Sequence, residues 1–165
     1  MKLLALDPGS SKTGYAWVVL RPDGWTEIVA GAHAENEGLD IPNQLRAAAA
    51  GAHLVAVEQI VMAFTRGSQI ALLAAAKAEE GFVVTARALG CNVARITARD
   101  WRGELCRSKT ASDAQIRLVV EALCPVRPAL KADARPHVYD AAGLGILALG
   151  RANGAIIELP EKLSG

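Results

Sequence analysis

Two short apolar runs, each ending in a carboxylate, limit the fold of this 165-residue chain more than any other feature. They are residues 2–7 (KLLALD) and residues 53–58 (HLVAVE). Their apolar residues are continuous rather than alternating, which is typical of parallel strands that are buried on both faces. If the two strands are parallel neighbours, Asp7 and Glu58 leave the sheet at the same edge, about 4.8 Å apart.

The rest of the chain alternates strand-like runs with helical patterns, separated by turn signals such as PGSSKTG and Pro22-Asp23-Gly24. Two Thr-x-x-Asp segments, which begin at Thr97 and Thr110, resemble capping boxes at helix starts. The further elements predicted by these patterns are strands over residues 15–20, 25–34 and 92–96, and helices over residues 40–50, 68–89, 114–123 and about 136–151.

This order of elements predicts an α/β fold of the ribonuclease-H-like type. Three strands form an antiparallel meander, two later strands run parallel to the first, and helices cover both faces of the five-stranded sheet. We expect one domain over residues 1–152 and a short tail over residues 153–165.

Composition narrows the class of protein. A chain with 52% hydrophobic and 21% charged residues has enough apolar material for one core. No apolar run reaches the roughly 18 residues that a membrane span needs, and Asp7 interrupts any signal peptide, so we expect a cytoplasmic protein. Its three cysteines have no metal-type spacing and are expected to be reduced thiols.

The net charge of +1 conceals a strong segregation along the chain. Residues 1–58 carry four basic and seven acidic residues, residues 59–135 carry twelve and seven, and residues 136–165 carry two and three. The basic middle segment is either a nucleic-acid-binding surface or the solvated surface of ordinary helices.

Four potential metal ligands fall at matched positions of the predicted fold. His137 and Asp140, spaced i and i+3 on the last helix, share one face and can reach Asp7 and Glu58. Carboxylates this close repel each other unless a cation lies between them, and an oxygen-rich site suits Mg²⁺ or Mn²⁺. Each residue alone also has a structural explanation: a turn cap for Asp7, a loop charge for Glu58 and a helix-start pair for the other two.

Three segments resemble the catalytic segments of the RuvC-type Holliday-junction resolvases. They are LALDPGSSKTGYAWV, VAVEQIVMAF and HVYDAAGLGILAL, in that order along the chain. The resemblance spans roughly residues 2–151. It implies a homodimeric, ribonuclease-H-like endonuclease that cuts two opposed strands of a four-way DNA junction and leaves 5′-phosphate and 3′-hydroxyl ends, with a branch-migration helicase as a further partner.

By this resemblance Asp7, Glu58, His137 and Asp140 are the catalytic residues and bind two Mg²⁺ ions. We expect Asp7 to bridge the ions, and His137 is either a ligand or the proton acceptor for the attacking water. The residues expected to contact DNA are Phe64, Arg66, Arg99, Arg102, Arg107 and Lys109.

The chain also departs from the family pattern. Asp113 stands where a basic residue is common, and Val61 stands where some relatives carry an aromatic wedge. Phe64 either stacks on a base or packs in the core. The alanine-rich helix over residues 68–89 either forms the dimer interface or only covers the sheet.

Three alternative functions remain at this point. A related nuclease of the RuvX/YqgF type, acting on RNA or other branched DNA, usually has a Gly-Pro segment where this chain has Val-Glu-Gln. A phosphotransferase of the actin and sugar-kinase superfamily needs two such subdomains, more than 165 residues supply. A non-catalytic junction-binding relative would normally lack one of the carboxylates.

Overall fold

The computed structural model describes residues 1–22, 26–35, 54–61, 68–124 and 135–154. The helix predicted over residues 40–50 and the tail from residue 155 lie outside the described residues. In chain order the strands are β1 (Lys2–Pro8), β2 (Lys12–Leu20), β3 (Thr26–Glu35), β4 (Leu54–Gln59) and β5 (Asn92–Thr97). The helices are α1 (Gln69–Ala88), α2 (Ala98–Leu105), α3 (Asp113–Leu123) and α4 (Arg135–Ala152).

The five strands form one sheet in the order β3-β2-β1-β4-β5. β1 pairs antiparallel with β2, and β2 with β3, whereas β4 pairs parallel with both β1 and β5. The predicted mixed sheet, with a three-strand meander and two parallel strands, is therefore confirmed. β1 and β4 are its central strands, as their continuous apolar runs predicted.

Alternate residues of β1 enter two separate cores. Leu3 and Ala5 pack on one face with residues of α2, α3 and α4. Leu4 and Leu6 pack on the other face with Phe82 and other residues of α1. Because successive side chains of a strand point to opposite faces, this division shows that helices cover both sides of the sheet.

Two element boundaries differ from the predictions. The turn after β1 is shorter than PGSSKTG, because Pro8 pairs with Thr13 and Asp7 with Gly14, so that Lys12 already belongs to β2. The N-cap of α3 is Ser112 and not Thr110, since a full capping box joins Ser112 to Gln115. The predicted cap at Thr97 is confirmed by its bond from the Asp100 amide, with Asp100 in the first turn of α2.

Helix α4 lies directly against the sheet beside the end of β1. A Cβ added at Gly14 would lie 2.3 Å from the backbone oxygen of His137, and one at Gly145 would lie 2.6 Å from Val18. Glycine at these two positions therefore lets the helix approach the strands closely. The first turn of α4 is placed over the end of β1 as a result. None of the described helices is long and apolar enough to span a membrane.

Candidate active site

Asp7 and Glu58 occupy matched positions on adjacent parallel strands. Leu6 of β1 is the register partner of Val57 of β4, and each is followed directly by one of the two acids. Asp7 is buried, with 8% of its surface exposed, and Glu58 is partly buried. The strand register thus brings two carboxylates together at the same edge of the sheet, as the sequence predicted.

Helix α4 adds His137 and Asp140 to this pair. The Nδ1 atom of His137 lies 2.9 Å from Oδ2 of Asp7. Asp140, one turn further along the helix, is partly buried, and the charge of Asp7 acts on it directly. All four residues predicted from the sequence therefore belong to one electrostatically connected group.

Glu58, Asp140 and His137 have raised pKa values. Burial first, and then the charge of Asp7, raises the pKa of Glu58 from 4.5 to about 7. The same two causes raise the pKa of Asp140 from 3.8 to about 6. The hydrogen bond with Asp7 raises the pKa of His137. The group therefore carries more negative charge than its surroundings stabilise.

Helix α2 supplies partners for two of the carboxylates through consecutive residues. Trp101 donates a hydrogen bond of 2.7 Å from its Nε1 to Oε2 of Glu58. Arg102 lies 3.1 Å from Oδ2 of Asp140 through a terminal guanidinium nitrogen. Arg102 thus pairs with a carboxylate of the site, and its predicted contact with DNA stays a prediction.

A buried glutamate fixes the end of β4. Glu79 of α1 is 2% exposed, and its Oε2 accepts a hydrogen bond of 2.9 Å from the backbone N–H of Ile60. Its Oε1 lies 2.5 Å from Arg95, which also pairs with Glu80. This contact holds the chain two residues beyond Glu58 against both α1 and β5.

No group of three or more His, Cys, Asp or Glu side chains in the described parts of the chain is arranged to hold a metal ion. The donor set nevertheless fits a hard divalent ion, since three carboxylates and an imidazole share one site and two of the carboxylates have raised pKa values. The metal site stays a prediction.

Four of the six predicted DNA contacts lie within the described residues, whereas Phe64 and Arg66 lie outside them. Arg99, Arg107 and Lys109 are exposed, and the described residues offer them no ion-pair partner. Arg107 has a φ of 56°, in the left-handed region that few residues other than glycine adopt. Three cations that have no ion-pair partner in the described part of the chain therefore lie on or directly after α2, the helix that contacts the carboxylates.

Several residues of the site were missed by reasoning from the sequence. No motif singles out Trp101 or Glu79. Only the fold brings Trp101 to Glu58 and Glu79 to the backbone of Ile60. Gly14 lies inside the KTG string, yet its role in admitting His137 depends on the packing of α4. Asp113 was noted only as a departure from a basic pattern, whereas its charge acts on both His137 and Asp140.

Comparison with known proteins places this geometry in a structural context. No family model matches the chain, and no curated protein matches it significantly in sequence. Solved structures do match: RuvC of Thermus thermophilus has a TM-score of 0.70 at 16% identity, over 97% of this chain and 100% of that one. The chain has the fold of the Holliday junction resolvases.

Two further resolvase structures match the chain in fold, the second less closely than the first. The complex of T. thermophilus RuvC with a Holliday junction substrate matches at a TM-score of 0.70 and 15% identity, over 97% of this chain and 100% of that one. The fowlpox virus Holliday junction resolvase has a TM-score of 0.54 at 13% identity, over 92% of this chain and 99% of that one. At these identities the likeness concerns the fold, so the chemistry has to be argued from the residues.

The raised pKa values predict how stability depends on pH in the metal-free protein. Between pH 4.5 and about 7 Glu58 holds more of its proton in the folded chain than in the unfolded chain, because its pKa is raised on folding. The contribution of Glu58 to the free energy of unfolding should therefore fall as pH rises through this window. Asp140 and His137 act in the same direction.

Denaturant unfolding in a chelating buffer at several pH values measures this dependence. Glu58→Gln should have a shallower slope between pH 5 and 7, because glutamine does not titrate. Glu104→Gln, at an exposed position of α2 where the carboxylate pairs with Arg151, is the matched control, and it should change the slope far less than Glu58→Gln because an exposed ion pair contributes little. An unchanged slope in Glu58→Gln would contradict the assignment.

Proposed function

We propose that this protein is a structure-selective endodeoxyribonuclease that resolves Holliday junctions by metal-dependent hydrolysis of two opposed strands. The observation that carries the proposal is the meeting of Asp7, Glu58, His137 and Asp140 at one edge of a resolvase-type sheet. The products are nicks with 5′-phosphate and 3′-hydroxyl ends. The acting form is a homodimer, because two strands are cut at related positions.

The four residues hold two Mg²⁺ ions in this proposal, with Mn²⁺ able to replace them. Asp7 would be the central ligand, because it lies on the middle strand of the sheet, contacts His137 and acts through its charge on Glu58 and Asp140. Glu58, Asp140 and His137 would supply the remaining protein ligands. Bound ions of this kind acidify the attacking water and neutralise the charge that develops on the leaving oxygen.

The protein's own side chains orient the reacting groups. His137 uses Nδ1 toward Asp7, so that Nε2 is the ring nitrogen left to bind an ion or take a proton. Arg102, beside Asp140, places a positive charge next to the carboxylates and close to any phosphate that enters the site. Because Asp7 and Asp140 are at least partly buried, these charges interact more strongly than they would in water.

The dimer is proposed to form through helix α1. Its outward face carries Ile70, Leu73 and Val84, which are 80%, 58% and 56% exposed. The alanines of α1 allow a second helix to approach closely, and the large apolar side chains are then buried between the two helices. A second copy of the same chain is the partner that presents an equivalent face.

A cleavage assay tests the reaction. Asp7→Asn should reduce the cleavage rate of a mobile four-way junction about 1000-fold or more, because the transition state loses several kcal/mol of charge stabilisation. Junction binding should stay within about threefold of the unsubstituted chain. Mapping both nicks on labelled strands, beside RNA and flap substrates and with and without Mg²⁺, separates resolution from other nuclease activities.

Glu104→Gln is the control for the loss of an acidic residue outside the site and should cleave normally. Mg²⁺-dependent cleavage that persists in Asp7→Asn would overturn the assigned site. Preferred cleavage of RNA would favour an activity of the RuvX/YqgF type instead. Junction binding without cleavage by the unsubstituted chain would favour a non-catalytic relative.

The dimer is tested by two leucines of nearly equal exposure. Leu73 on α1 is 58% exposed and Leu118 on α3 is 56% exposed. Leu73→Glu should shift the mass in multi-angle light scattering from about twice that of the chain to that of one chain, and paired cutting should be lost with it. Leu118→Glu should leave the mass unchanged. Equal behaviour of the two variants would exclude α1 as the interface.

The DNA-binding surface is tested by salt dependence. Arg99→Gln and Lys109→Gln should each reduce the slope of log K against log salt concentration by about 1, because each removes one phosphate contact. Arg117→Gln is the control, since its guanidinium is engaged by Glu121 at 2.8 Å. A slope that falls equally in all three variants would contradict a surface confined to α2 and the segment after it.

A further inference from the structure

Trp101 is a fully buried side chain beside the candidate site, and its indole carries a polar N–H group. It lies in the first turn of α2 and none of its surface is exposed. A tryptophan buried in this way almost always needs a partner for its indole N–H. Here the partner is Glu58, which accepts the hydrogen bond at 2.7 Å.

The space for this ring is made by helix α4, the same helix that carries His137 and Asp140. A Cβ added at Gly143 would lie 2.9 Å from Cζ3 of Trp101 and 3.1 Å from Cδ2 of Leu105. A contact under 3.0 Å with a fully buried ring forces the ring to move. The position of the indole is therefore set jointly by α2 and by a glycine of α4.

Glu58 needs such a restraint because its neighbours repel it. The charges of Asp7 and Asp140 act on it, and burial further disfavours its ionised form. A glutamate side chain has three rotatable bonds, and without a partner it would turn away from the other carboxylates toward solvent. The hydrogen bond from Trp101 opposes that movement.

The choice of donor matters for a metal site. The neutral indole restrains one oxygen of Glu58 and leaves the full carboxylate charge available to a cation. The adjacent Arg102 stacks over the same ring at 5.2 Å while it pairs with Asp140. Consecutive residues of α2 thus restrain two carboxylates in different ways.

We propose that Trp101 is a positioning residue, which holds Glu58 among the other carboxylates through Oε2 and leaves Oε1 for a divalent ion. This inference rests on the proposed function, since it assigns Glu58 to metal binding. It goes beyond that function because no motif of the sequence singles out Trp101.

The test measures metal binding in the absence of DNA. Trp101→Phe keeps a buried aromatic ring but removes the N–H donor, and Mn²⁺ affinity measured by isothermal titration calorimetry should fall about 10- to 100-fold. Glu58→Gln provides the reference for loss of this ligand. Trp17→Phe, at a partly buried tryptophan of β2 that stacks on Lys2, should bind Mn²⁺ normally.

Cleavage kinetics separate positioning from a general loss of structure. The Mg²⁺ concentration for half-maximal cleavage should rise in Trp101→Phe by a similar factor, and cleavage should recover in large part at saturating Mg²⁺. A variant that is merely destabilised would lose activity at every Mg²⁺ concentration. The thermal unfolding of Trp101→Phe is measured in parallel to detect such destabilisation.

A second variant guards against failure of Trp101→Phe to fold. Gly143→Ala keeps the indole N–H but displaces the ring, so it should also weaken Mn²⁺ binding. Its matched control is Gly81→Ala in α1, where an added Cβ meets nothing within 4 Å. Mn²⁺ affinity equal to that of the unsubstituted chain in both Trp101→Phe and Gly143→Ala overturns the inference.

The two proposals fail in different ways. If the unsubstituted chain binds Mn²⁺ in a manner that depends on Glu58 and Trp101 but cleaves no junction, the positioning role stands and the proposed function fails. If the chain resolves junctions and Trp101→Phe binds Mn²⁺ normally, only the positioning role fails. Absence of Glu58-dependent Mn²⁺ binding in the unsubstituted chain also overturns it.

Discussion

Electrostatic repulsion at the carboxyl ends of β1 and β4 is the constraint on which the rest of the site depends. Parallel pairing places Asp7 and Glu58 at matched positions, and α4 adds Asp140 nearby. Burial makes this repulsion stronger, because low-dielectric surroundings screen charges poorly. Burial is the main cause of the raised pKa values of Glu58 and Asp140, and the charge of Asp7 raises them further. Clustered carboxylates with raised pKa values are frequent at functional sites, and a divalent cation is the group that such a set of oxygen ligands would bind.

The protein offsets this repulsion with three different partners. An imidazole contacts Asp7, a neutral indole holds Glu58, and a guanidinium pairs with Asp140. Two of these partners come from consecutive residues of α2, so that one short helix helps to determine the shape of the site. The remaining partner, the imidazole of His137, is placed by the close packing of α4 on the sheet, which Gly14 and Gly145 permit. The site therefore depends on backbone approach as much as on the charged residues.

The basic middle segment of the chain has two roles in the structure. Arg95 and Arg102 form ion pairs with buried or partly buried acids, and Arg117 pairs with Glu121 on its own helix. Arg99, Arg107 and Lys109 are exposed and lack an ion-pair partner among the described residues. The net charge of this segment therefore overstates the number of cations available to a phosphate backbone, because some of its arginines are engaged in ion pairs within the protein. The unpaired cations nevertheless lie close to the helix that contacts the carboxylates.

The sequence by itself predicted the mixed five-stranded sheet with helices on both faces, and it singled out the four residues of the candidate site. It did so because continuous apolar runs, terminal acids and i, i+3 spacing are local patterns with a direct geometric meaning. Only the tertiary structure decided the partners of those residues, such as Trp101 with Glu58, Arg102 with Asp140 and Glu79 with the backbone of Ile60. These contacts join positions 43, 38 and 19 residues apart. No local pattern encodes them, because they arise from how closely helices pack on the sheet.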